Sequence, residues 1–316
     1  MTQPDDGDQA FRKESFYGRR EEMTYGGALS FLRRPYTREI DRADVVVSGI
    51  PFDAATTNRP GARFGPRAIR AASTQLAELD AFPWGFDPFE YLAVADFGDC
   101  LLDPGRHDEV ADRIAAHAHS ILERGPSMLT FGGDHFVTYP LLRAHAAIHG
   151  PLALVQFDAH PDTWPDDGDR IDHGTMFQRA VREGLIDTEH SIQVGIRTQA
   201  PGAGITVLDA PWVHAHGIEA TLDRIRATVG PHSAYVTFDI DCLDPACAPG
   251  TGTPVVGGLS SAQALAILRA LGDLDLVGMD VVEVAPAYDT SEITALAAAT
   301  VAHDYLCLLA ERKRGG

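Results

Sequence analysis

The chain has 316 residues, of which 45% are hydrophobic and 22% are charged, and this ordinary globular composition is enough for one large α/β domain or two small ones. Its formal net charge of −19 argues against binding to nucleic acids or anionic membranes, which attract basic proteins, and is compatible with a cationic substrate. The N-terminus lacks an apolar signal segment and the four cysteines are scattered, so we expect a cytoplasmic protein with reduced thiols.

Apolar runs and helical patterns alternate along the chain, and this alternation predicts an α/β fold. Residues 1–25 are polar and are predicted to form a flexible N-terminal arm, followed by a single domain over residues 26–316. The expected architecture is a three-layer α/β/α sandwich with a mainly parallel sheet of about eight strands. A (β/α)8 barrel has the same alternation, so the sequence leaves both architectures open. The predicted strands span residues 44–50, 91–97, 128–131, 152–157, 191–196, 205–208, 235–240 and 276–284.

Helical patterns fill most intervals between these strands. Pro66 is well placed at the start of the first helix, and Ser260 is a candidate cap for a later one. The apolar stretch 293–310 contains His303 and Asp304, so we interpret it as a buried helix or a subunit interface, not as a membrane span. The clearest helical patterns cover residues 65–76, 108–122, 218–229 and the segment from 291 to the end.

Polar side chains at alternate positions follow the fourth predicted strand. The segment reads LALVQFDAHPD over residues 152–162, and its continuous apolar run is typical of a strand covered on both faces of a parallel sheet. Asp158, His160 and Asp162 are spaced two apart, so their side chains point the same way if the extended geometry continues. Ligands of open α/β sheets bind beyond the carboxyl ends of the strands. These three side chains are therefore candidates for one metal site.

Two further strand ends carry the same types of side chain. One segment reads YVTFDID and ends in Asp239 and Asp241, and another reads SMLTFGGDH, with a Gly-Gly turn before His135. Two imidazoles and four carboxylates exceed what one zinc ion requires, and this oxygen-rich set favours a harder ion, with Mn²⁺ as the leading candidate. Two divalent ions would balance four carboxylates and activate a shared water near neutral pH, so the predicted chemistry is metal-assisted hydrolysis.

The same segments resemble the ureohydrolase family, which includes arginase and agmatinase. The three segments similar to its signature motifs are GGDH at 132–135, DAHPD at 158–162 and FDIDCLDP at 238–245. Further segments resemble the agmatinase members in particular, namely DHGTMF at 172–177, GIRT at 195–198, APGTGTP at 248–254 and GMDVVEVAPAYD at 278–289. The resemblance covers nearly all of residues 28–310. It implies the arginase/deacetylase-type sandwich, two Mn²⁺ ions per subunit and a homo-oligomer, either a trimer or a hexamer.

The resemblance also implies roles for individual residues. Asp241 would help to move a proton to the leaving amine, and His173 would exchange protons between the site and the solvent. Glu283 would pair with the substrate guanidinium through two hydrogen bonds, so His173 and Glu283 are both expected substrate contacts. The alternatives are a structural hydrogen bond for His173 and a surface position for Glu283. The implied metal ligands are His135, Asp158, His160, Asp162, Asp239 and Asp241, with Asp158 and one of the last two shared by both ions.

The implied substrate is a small cationic guanidino compound that is cleaved to urea and an amine. The loop TWPDDGDRID at 163–172 has four aspartates and no Asn or Ser, which favours the diamine-like tail of agmatine over the amino-acid end of arginine. Asp166 in this loop is a predicted substrate contact, and Arg170 is its one obvious partner for a carboxylate. The product would be putrescine, which places the enzyme in polyamine biosynthesis.

Two features keep other activities open. The loop TTNRPGARFGP at 56–66 is similar to loops of amidinohydrolases that act on guanidino acids such as 4-guanidinobutyrate, so Arg59 or Arg63 could pair with a substrate carboxylate, and Arg63 is a predicted substrate contact. Pro161 stands where the family usually has Ser or Thr, which removes a hydroxyl and an N–H beside two ligands. A third hypothesis is a catalytically idle metal-binding homologue. A metal-dependent deacetylase is disfavoured because its site usually holds one ion.

Overall fold

All eight strands belong to one open parallel sheet. The computed structural model describes residues 8–13, 15–19, 23–168, 170 and 172–315. The strands are β1 (Val45–Gly49), β2 (Val94–Asp99), β3 (Ser127–Phe131), β4 (Ala153–Phe157), β5 (Ile192–Ile196), β6 (Thr206–Asp209), β7 (Ser233–Asp239) and β8 (Asp275–Val282). Their order is β2-β1-β3-β8-β7-β4-β5-β6, and every neighbouring pair is parallel. Because β2 and β6 are the two edges, the sheet does not close into a barrel.

Seven α-helices among the described residues cover the two faces of the sheet. They are α1 (Gly65–Ser73), α2 (Val110–Leu122), α3 (Thr138–His149), α4 (Met176–Arg182), α5 (Ala210–Val229), α6 (Ser261–Arg269) and α7 (Ile293–Gly315). α2, α3 and α4 pack together, and α1, α5, α6 and α7 form the other group. Successive residues of β1 enter different cores, since Val45 and Val47 join one hydrophobic cluster and Val46 the other. The predicted three-layer sandwich is confirmed.

Local chemistry moves some boundaries away from the predicted ones. α5 begins at Ala210, well before residue 218, because Asp209 caps it by accepting a hydrogen bond from the Trp212 N–H. Gly217 then interrupts the helix with a φ of 81°, which hides the continuity of the pattern. The predicted cap at Ser260 is present, and Gln263 completes a capping box with it.

The described part of the N-terminal segment packs against the domain. The Asp8 carboxylate accepts a hydrogen bond from the Ala28 N–H at 2.6 Å, and the Phe16 ring is buried. Residues 1–7, 14 and 20–22 of the predicted flexible arm lie outside the described residues, so the arm stays a prediction.

The apolar helix α7 lies inside the domain. In the described part of the chain it is the one helix long and apolar enough to cross a membrane. However, 72% of its apolar window is buried within the protein, and its Asp304 accepts hydrogen bonds from Trp84 and Arg269. This burial is what a core helix requires, in agreement with the predicted buried helix.

Candidate active site

Four neighbouring strands bring the predicted site residues to one edge of the sheet. β3, β8, β7 and β4 are consecutive in the sheet, and their carboxyl ends lead to His135, Glu283, Asp239 and the segment 158–162 respectively. Parallel pairing places all four ends on the same side. These residues are far apart in the sequence, and the strand order makes them neighbours. They lie at the carboxyl edge of the sheet, which is where open α/β sheets bind their ligands.

One imidazole nitrogen faces three carboxylates. His135 Nδ1 lies 3.0 Å from Asp158 Oδ2, 2.9 Å from Asp162 Oδ2 and 3.2 Å from Asp239 Oδ2. All four side chains are buried. Three carboxylate oxygens thus surround one imidazole nitrogen, and His135, Asp158 and Asp162 could hold a metal ion.

A second group of ligands shares Asp158 with the first. His160 Nδ1 lies 3.4 Å from Asp158 Oδ1 and 3.1 Å from Asp241 Oδ2. Asp158 therefore turns one carboxylate oxygen toward each histidine, as a bridging ligand between two ions would. The structure thus brings all six predicted ligands together, and Asp158 is at the centre of the set.

The protonation pattern around His135 shows that this donor set fits metal ions. His135 Nε2 lies 2.8 Å from the Thr237 hydroxyl, which itself donates to Asp280 Oδ1 at 2.6 Å. Thr237 therefore accepts the proton of Nε2, and in the neutral ring the lone pair is on Nδ1. Nδ1 is buried and makes no hydrogen bond, yet it faces three carboxylate oxygens. Although burial disfavours the charged ring, Asp158, Asp162 and Asp239 raise the pKa of His135 well above its ordinary value, so these oxygens require a proton or a metal ion between them and Nδ1.

The carboxylates also repel one another. Burial and the charge of Asp158 raise the pKa of Asp162 to about 7, although His135 and His160 act in the opposite direction. Burial and the charges of Asp241 and Asp158 likewise raise the pKa of Asp239 well above its ordinary value. The cluster therefore holds more negative charge than its own histidines offset, and divalent cations would supply the balance.

Two residues of the site have strained backbone conformations. Asp162 has a φ of 51° and Glu283 a φ of 64°, in the left-handed region that residues with a side chain rarely adopt. Such strain persists where the surrounding structure enforces it, often at functional sites. At both positions the carboxylate is buried within the site.

The Gly-Gly turn before His135 is required by a close backbone contact. A Cβ on Gly133 would lie 1.5 Å from the Phe52 carbonyl oxygen, so no other residue fits. The Asp134 N–H donates to that same carbonyl at 2.8 Å, and Asp134 Oδ2 accepts from the Ala55 N–H at 2.8 Å. Asp134 therefore fastens the loop after β1 to the site. Burial and the Glu283 charge raise the pKa of Asp134 well above its ordinary value.

Glu283 and His173 form a buried pair beside the metal ligands. Glu283 Oε1 accepts from His173 Nδ1 at 2.7 Å and from the His135 backbone N–H at 2.9 Å. Glu283 Oε2 is buried and has no hydrogen-bond partner among the described residues. With 1% of its surface exposed, Glu283 is not the surface carboxylate of the alternative reading. Although burial raises the pKa of Glu283, the neighbouring His173 lowers it below its ordinary value.

Two neighbours act on the protonation of His173 in opposite directions. Burial disfavours the charged ring, but the Glu283 carboxylate outweighs it and raises the pKa of His173 to about 9. On the other side, the Thr57 N–H donates to His173 Nε2 at 3.0 Å, which favours the neutral ring. The Thr57 hydroxyl also lies 2.8 Å from Nε2. His173 is thus set between two protonation states, and Thr57 is its contact toward the cavity.

An acidic cavity of about 400 Å³ opens above these residues. Asp162, Asp172 and Asp239 line it, together with His160 and His173. Its remaining lining residues are Thr57, Trp164, Pro165, Arg170, Gly174, Thr175 and Thr253. Arg170 is the one guanidinium among these described lining residues, and it is paired with Asp172 at 2.5 Å. The cavity therefore suits a cation better than an anion.

Two predicted substrate contacts lie away from this cavity. Asp166 turns from it and is held by Arg179 and Arg182, at 2.8 and 2.9 Å. Arg63 pairs with Asp53 and lines a different surface pocket. Arg179 and Arg182 belong to α4, whereas Asp53 lies in the same loop as Arg63, 10 residues before it.

Comparisons with known proteins agree with this geometry. The model of the arginase family matches residues 43–307. The chain belongs to the arginase family.

Within this family, the chain is similar to proteins described as agmatinases and to an amidino hydrolase. The agmatinase of Chromobacterium violaceum is 61% identical over 98% of this chain and 97% of that protein. A crystal structure described as a hypothetical agmatinase from Burkholderia thailandensis is 63% identical, with a TM-score of 0.96 and 98% of both chains covered. The proclavaminate amidino hydrolase of Streptomyces clavuligerus is 42% identical, with a TM-score of 0.87, 92% of this chain and 99% of that chain covered. The predicted resemblance to ureohydrolases, closest to agmatinase, is confirmed.

The site of this arginase-family protein also depends on residues that sequence reasoning missed. Gln156 Nε2 donates to Asp158 Oδ2 at 2.7 Å and to the His160 carbonyl at 3.0 Å. Gln193 on the next strand donates to Gln156 and to the Pro161 carbonyl, at 2.6 and 2.7 Å. The available signal was a glutamine inside each of two apolar strands, Gln156 in β4 and Gln193 in β5. This pair holds the DAHPD segment from behind, so it does not depend on the N–H that Pro161 lacks.

Proposed function

We propose that this protein hydrolyses agmatine to putrescine and urea at a centre of two Mn²⁺ ions. The observation that carries the proposal is the set of six metal-binding side chains at the base of a cavity lined with carboxylates. The agmatinases described above support the same substrate.

The ligand atoms divide between two ions. His135, Asp158, Asp162 and Asp239 would hold one ion, and Asp158, His160 and Asp241 the other. When bound, the two ions supply a nucleophilic water at neutral pH and offset the negative charge that develops during the reaction. The oxygen-rich donor set supports Mn²⁺ over zinc.

Glu283 receives the guanidinium group. Its Oε1 is already fixed by His173 Nδ1 and the His135 N–H, so the carboxylate cannot rotate freely. The unpartnered Oε2 is left to accept hydrogen bonds from the planar cation. A buried carboxylate oxygen without a donor is costly, and the substrate would remove that cost when it binds. Glu283 therefore favours a bound guanidinium over bound water.

His173 and Asp241 handle protons. Glu283 holds the proton on His173 Nδ1, and exchange with the cavity occurs at Nε2 through the Thr57 hydroxyl. Asp241 Oδ2 accepts from the Thr253 hydroxyl at 3.4 Å, and Thr253 lines the cavity. Asp241 thus passes a proton toward the leaving amine, and His173 restores the protonation of the site from the solvent.

The side chains at the open end of the cavity determine which group the substrate can carry at the end opposite its guanidinium. Three arginines considered as carboxylate partners already have other contacts: Arg63 pairs with Asp53, Arg170 with Asp172, and the Arg59 guanidinium lies 5.3 Å from the Tyr288 ring centre. A substrate carboxylate would therefore have to break an existing contact. The ammonium of agmatine instead meets the Trp164 ring, which lines the cavity, and aromatic faces attract cations.

We also propose a cytoplasmic homo-oligomer, either a trimer or a hexamer. The four free cysteines suit a reducing compartment. An apolar groove lined by Leu265, Leu296 and Val301 lies on α6 and α7 and supports a subunit contact there. Light scattering of the purified protein would measure the number of subunits.

The deciding experiment compares substrates. Manganese-loaded protein is incubated separately with agmatine, 4-guanidinobutyrate and L-arginine, and urea release gives kcat/KM for each. We expect agmatine to lead by more than about a hundredfold, roughly 3 kcal/mol of transition-state preference. A lead for guanidinobutyrate would reject the agmatine proposal and point to Arg59, Arg63 or Arg170. No urea from any substrate, with both ions bound, would support the idle homologue.

A further inference from the structure

Three oxygen atoms that can accept hydrogen bonds surround one point beside Gly252. A Cβ on this glycine would lie 3.4 Å from Glu283 Oε2, 3.4 Å from the Thr56 hydroxyl and 3.0 Å from the Arg59 carbonyl oxygen. Glu283 directly follows β8, whereas Thr56 and Arg59 belong to the loop after β1. The tertiary structure therefore gathers acceptors from two segments against a residue that has no side chain to cover them.

Two of these oxygens are buried and unpaired. Neither the Thr56 hydroxyl nor Glu283 Oε2 has a hydrogen-bond partner within the part of the chain that the structure describes. An unpaired buried polar group is unfavourable in the free protein. Folded proteins pair nearly all such groups, so two unpaired oxygens around one point indicate a place where a bound molecule supplies the donors.

This group of oxygens adjoins the active-site cavity. Thr57 and Thr253, which directly follow Thr56 and Gly252, both line the cavity. Asn58 Nδ2 donates to the Gly252 carbonyl at 3.1 Å, so the loop after β1 is fastened to the segment that carries Gly252. Thr56 is thereby held next to the cavity wall.

A guanidinium ion matches this set of acceptors. It is planar, and its nitrogen atoms carry hydrogen-bond donors and no acceptor. We propose that the Thr56 hydroxyl accepts one N–H of the substrate guanidinium while Glu283 Oε2 accepts another, and that Gly252 leaves the space for this contact. The inference rests on the proposed function, in which Glu283 receives the guanidinium.

The test removes the hydroxyl without changing the shape of the side chain. Thr56→Val loses the acceptor and Thr56→Ser retains it, and calorimetry of the manganese-loaded, full-length protein measures binding of the guanidinium ion. We expect Thr56→Val to bind guanidinium about tenfold more weakly than the wild type, because hydrogen bonds with a charged partner are strong. Thr56→Ser should bind as the wild type does. Thr130→Val is the matched control, since the Thr130 hydroxyl inside β3 is also buried and unpaired among the residues described.

The stability of the free protein distinguishes a ligand contact from a structural one. Replacing an unpaired buried hydroxyl by a methyl group removes an unfavourable group, so Thr56→Val should unfold at the same temperature as the wild type or at a higher one. Equal guanidinium binding by the wild type and Thr56→Val would overturn the inference and leave the proposed function intact. A lower unfolding temperature, with the same loss of binding in Thr56→Ser, would also overturn it and assign Thr56 a structural role.

Coupling between Thr56 and Glu283 provides a second measurement. The value of kcat/KM for agmatine is compared among Thr56→Val, Glu283→Gln and the double variant, because residues that contact the same group have non-additive effects. We expect the double variant to lose less than the product of the two single losses. A loss equal to that product would show that the two residues do not contact one guanidinium. If the wild type released no urea from agmatine, the proposed function would be rejected, and the calorimetry would still decide the role of Thr56.

Discussion

The two edges of the sheet both place histidines beside carboxylates, yet they do so under opposite physical conditions. At the carboxyl edge, His135 faces three buried carboxylates and two backbone positions are strained. At the amino edge, His190 and His232 stack near the solvent with one carboxylate beside them. Burial of like charges lowers the free energy of unfolding of the metal-free protein. Of the two edges, the carboxyl edge is therefore the one whose functional groups reduce stability.

The largest expected effect tests whether Asp158 is a ligand of both metal ions at the carboxyl edge. Asp158→Asn removes one negative charge from both groups of ligands, and we expect kcat/KM for agmatine to fall by more than about 10³-fold, roughly 4 kcal/mol. Urea release and metal content measure the effect together. An activity within tenfold of the wild type, with both ions retained, would show that Asp158 does not bridge. His149→Asn, on the exposed end of α3, is the control.

A smaller effect distinguishes substrate binding from metal binding at the same edge. Glu283→Gln keeps the size of the side chain but loses the charge that pairs with the guanidinium. Hydrogen bonds to charged groups contribute about 1.5–3 kcal/mol, so kcat/KM should fall by about 10- to 150-fold. Manganese content should stay unchanged because Glu283 is not a ligand. A loss of manganese in this variant would instead assign Glu283 a structural role.

The support behind His135 should have a still smaller effect. Thr237→Val removes the acceptor of the His135 Nε2 proton and separates the histidine from Asp280. Loss of such a partner typically weakens metal affinity by about 10- to 100-fold. Manganese titration should show this loss at one ion only, the one that His135 binds. Thr206→Val, on the edge strand β6, should leave both affinities unchanged, and equal weakening of both ions would contradict the assignment.

The smallest effect concerns a buried histidine that belongs to neither edge. Burial lowers the pKa of His145 to about 4, whereas Glu283 raises the pKa of His173 to about 9. Between pH 6.5 and 4 the unfolded chain protonates His145 and the folded protein does not, so its contribution to stability is present above pH 6.5 and is lost as the pH falls. Compared with His145→Gln, the wild type should lose about 1–3 kcal/mol more unfolding free energy over this interval.

Urea-induced unfolding at pH 7 and at pH 4.5 measures this difference, with His119→Gln on α2 as the control. Parallel losses in the wild type and in His145→Gln would show that burial of this imidazole does not oppose its protonation.

The sequence alone determined the strands, their polar ends and the family of this protein. Runs such as residues 152–157 are local patterns, because a strand buried on both faces must be apolar along its length. Asp158, His160 and Asp162 follow directly from that pattern. Gly133 was also visible as a turn, although only the close approach of Phe52 shows why glycine is required there.

Only the tertiary structure decided which charges meet. The strand order placed His135, Asp158 and Asp239 around one point, and it brought Thr237 and Asp280 behind His135. Arg179 on α4 also holds Asp166 away from the cavity, whereas Arg63 pairs with Asp53 in its own loop. It also joined His190 to His232, which no local pattern connects. Local periodicity reports which side of an element is buried, whereas the pairing of polar groups depends on which elements become neighbours.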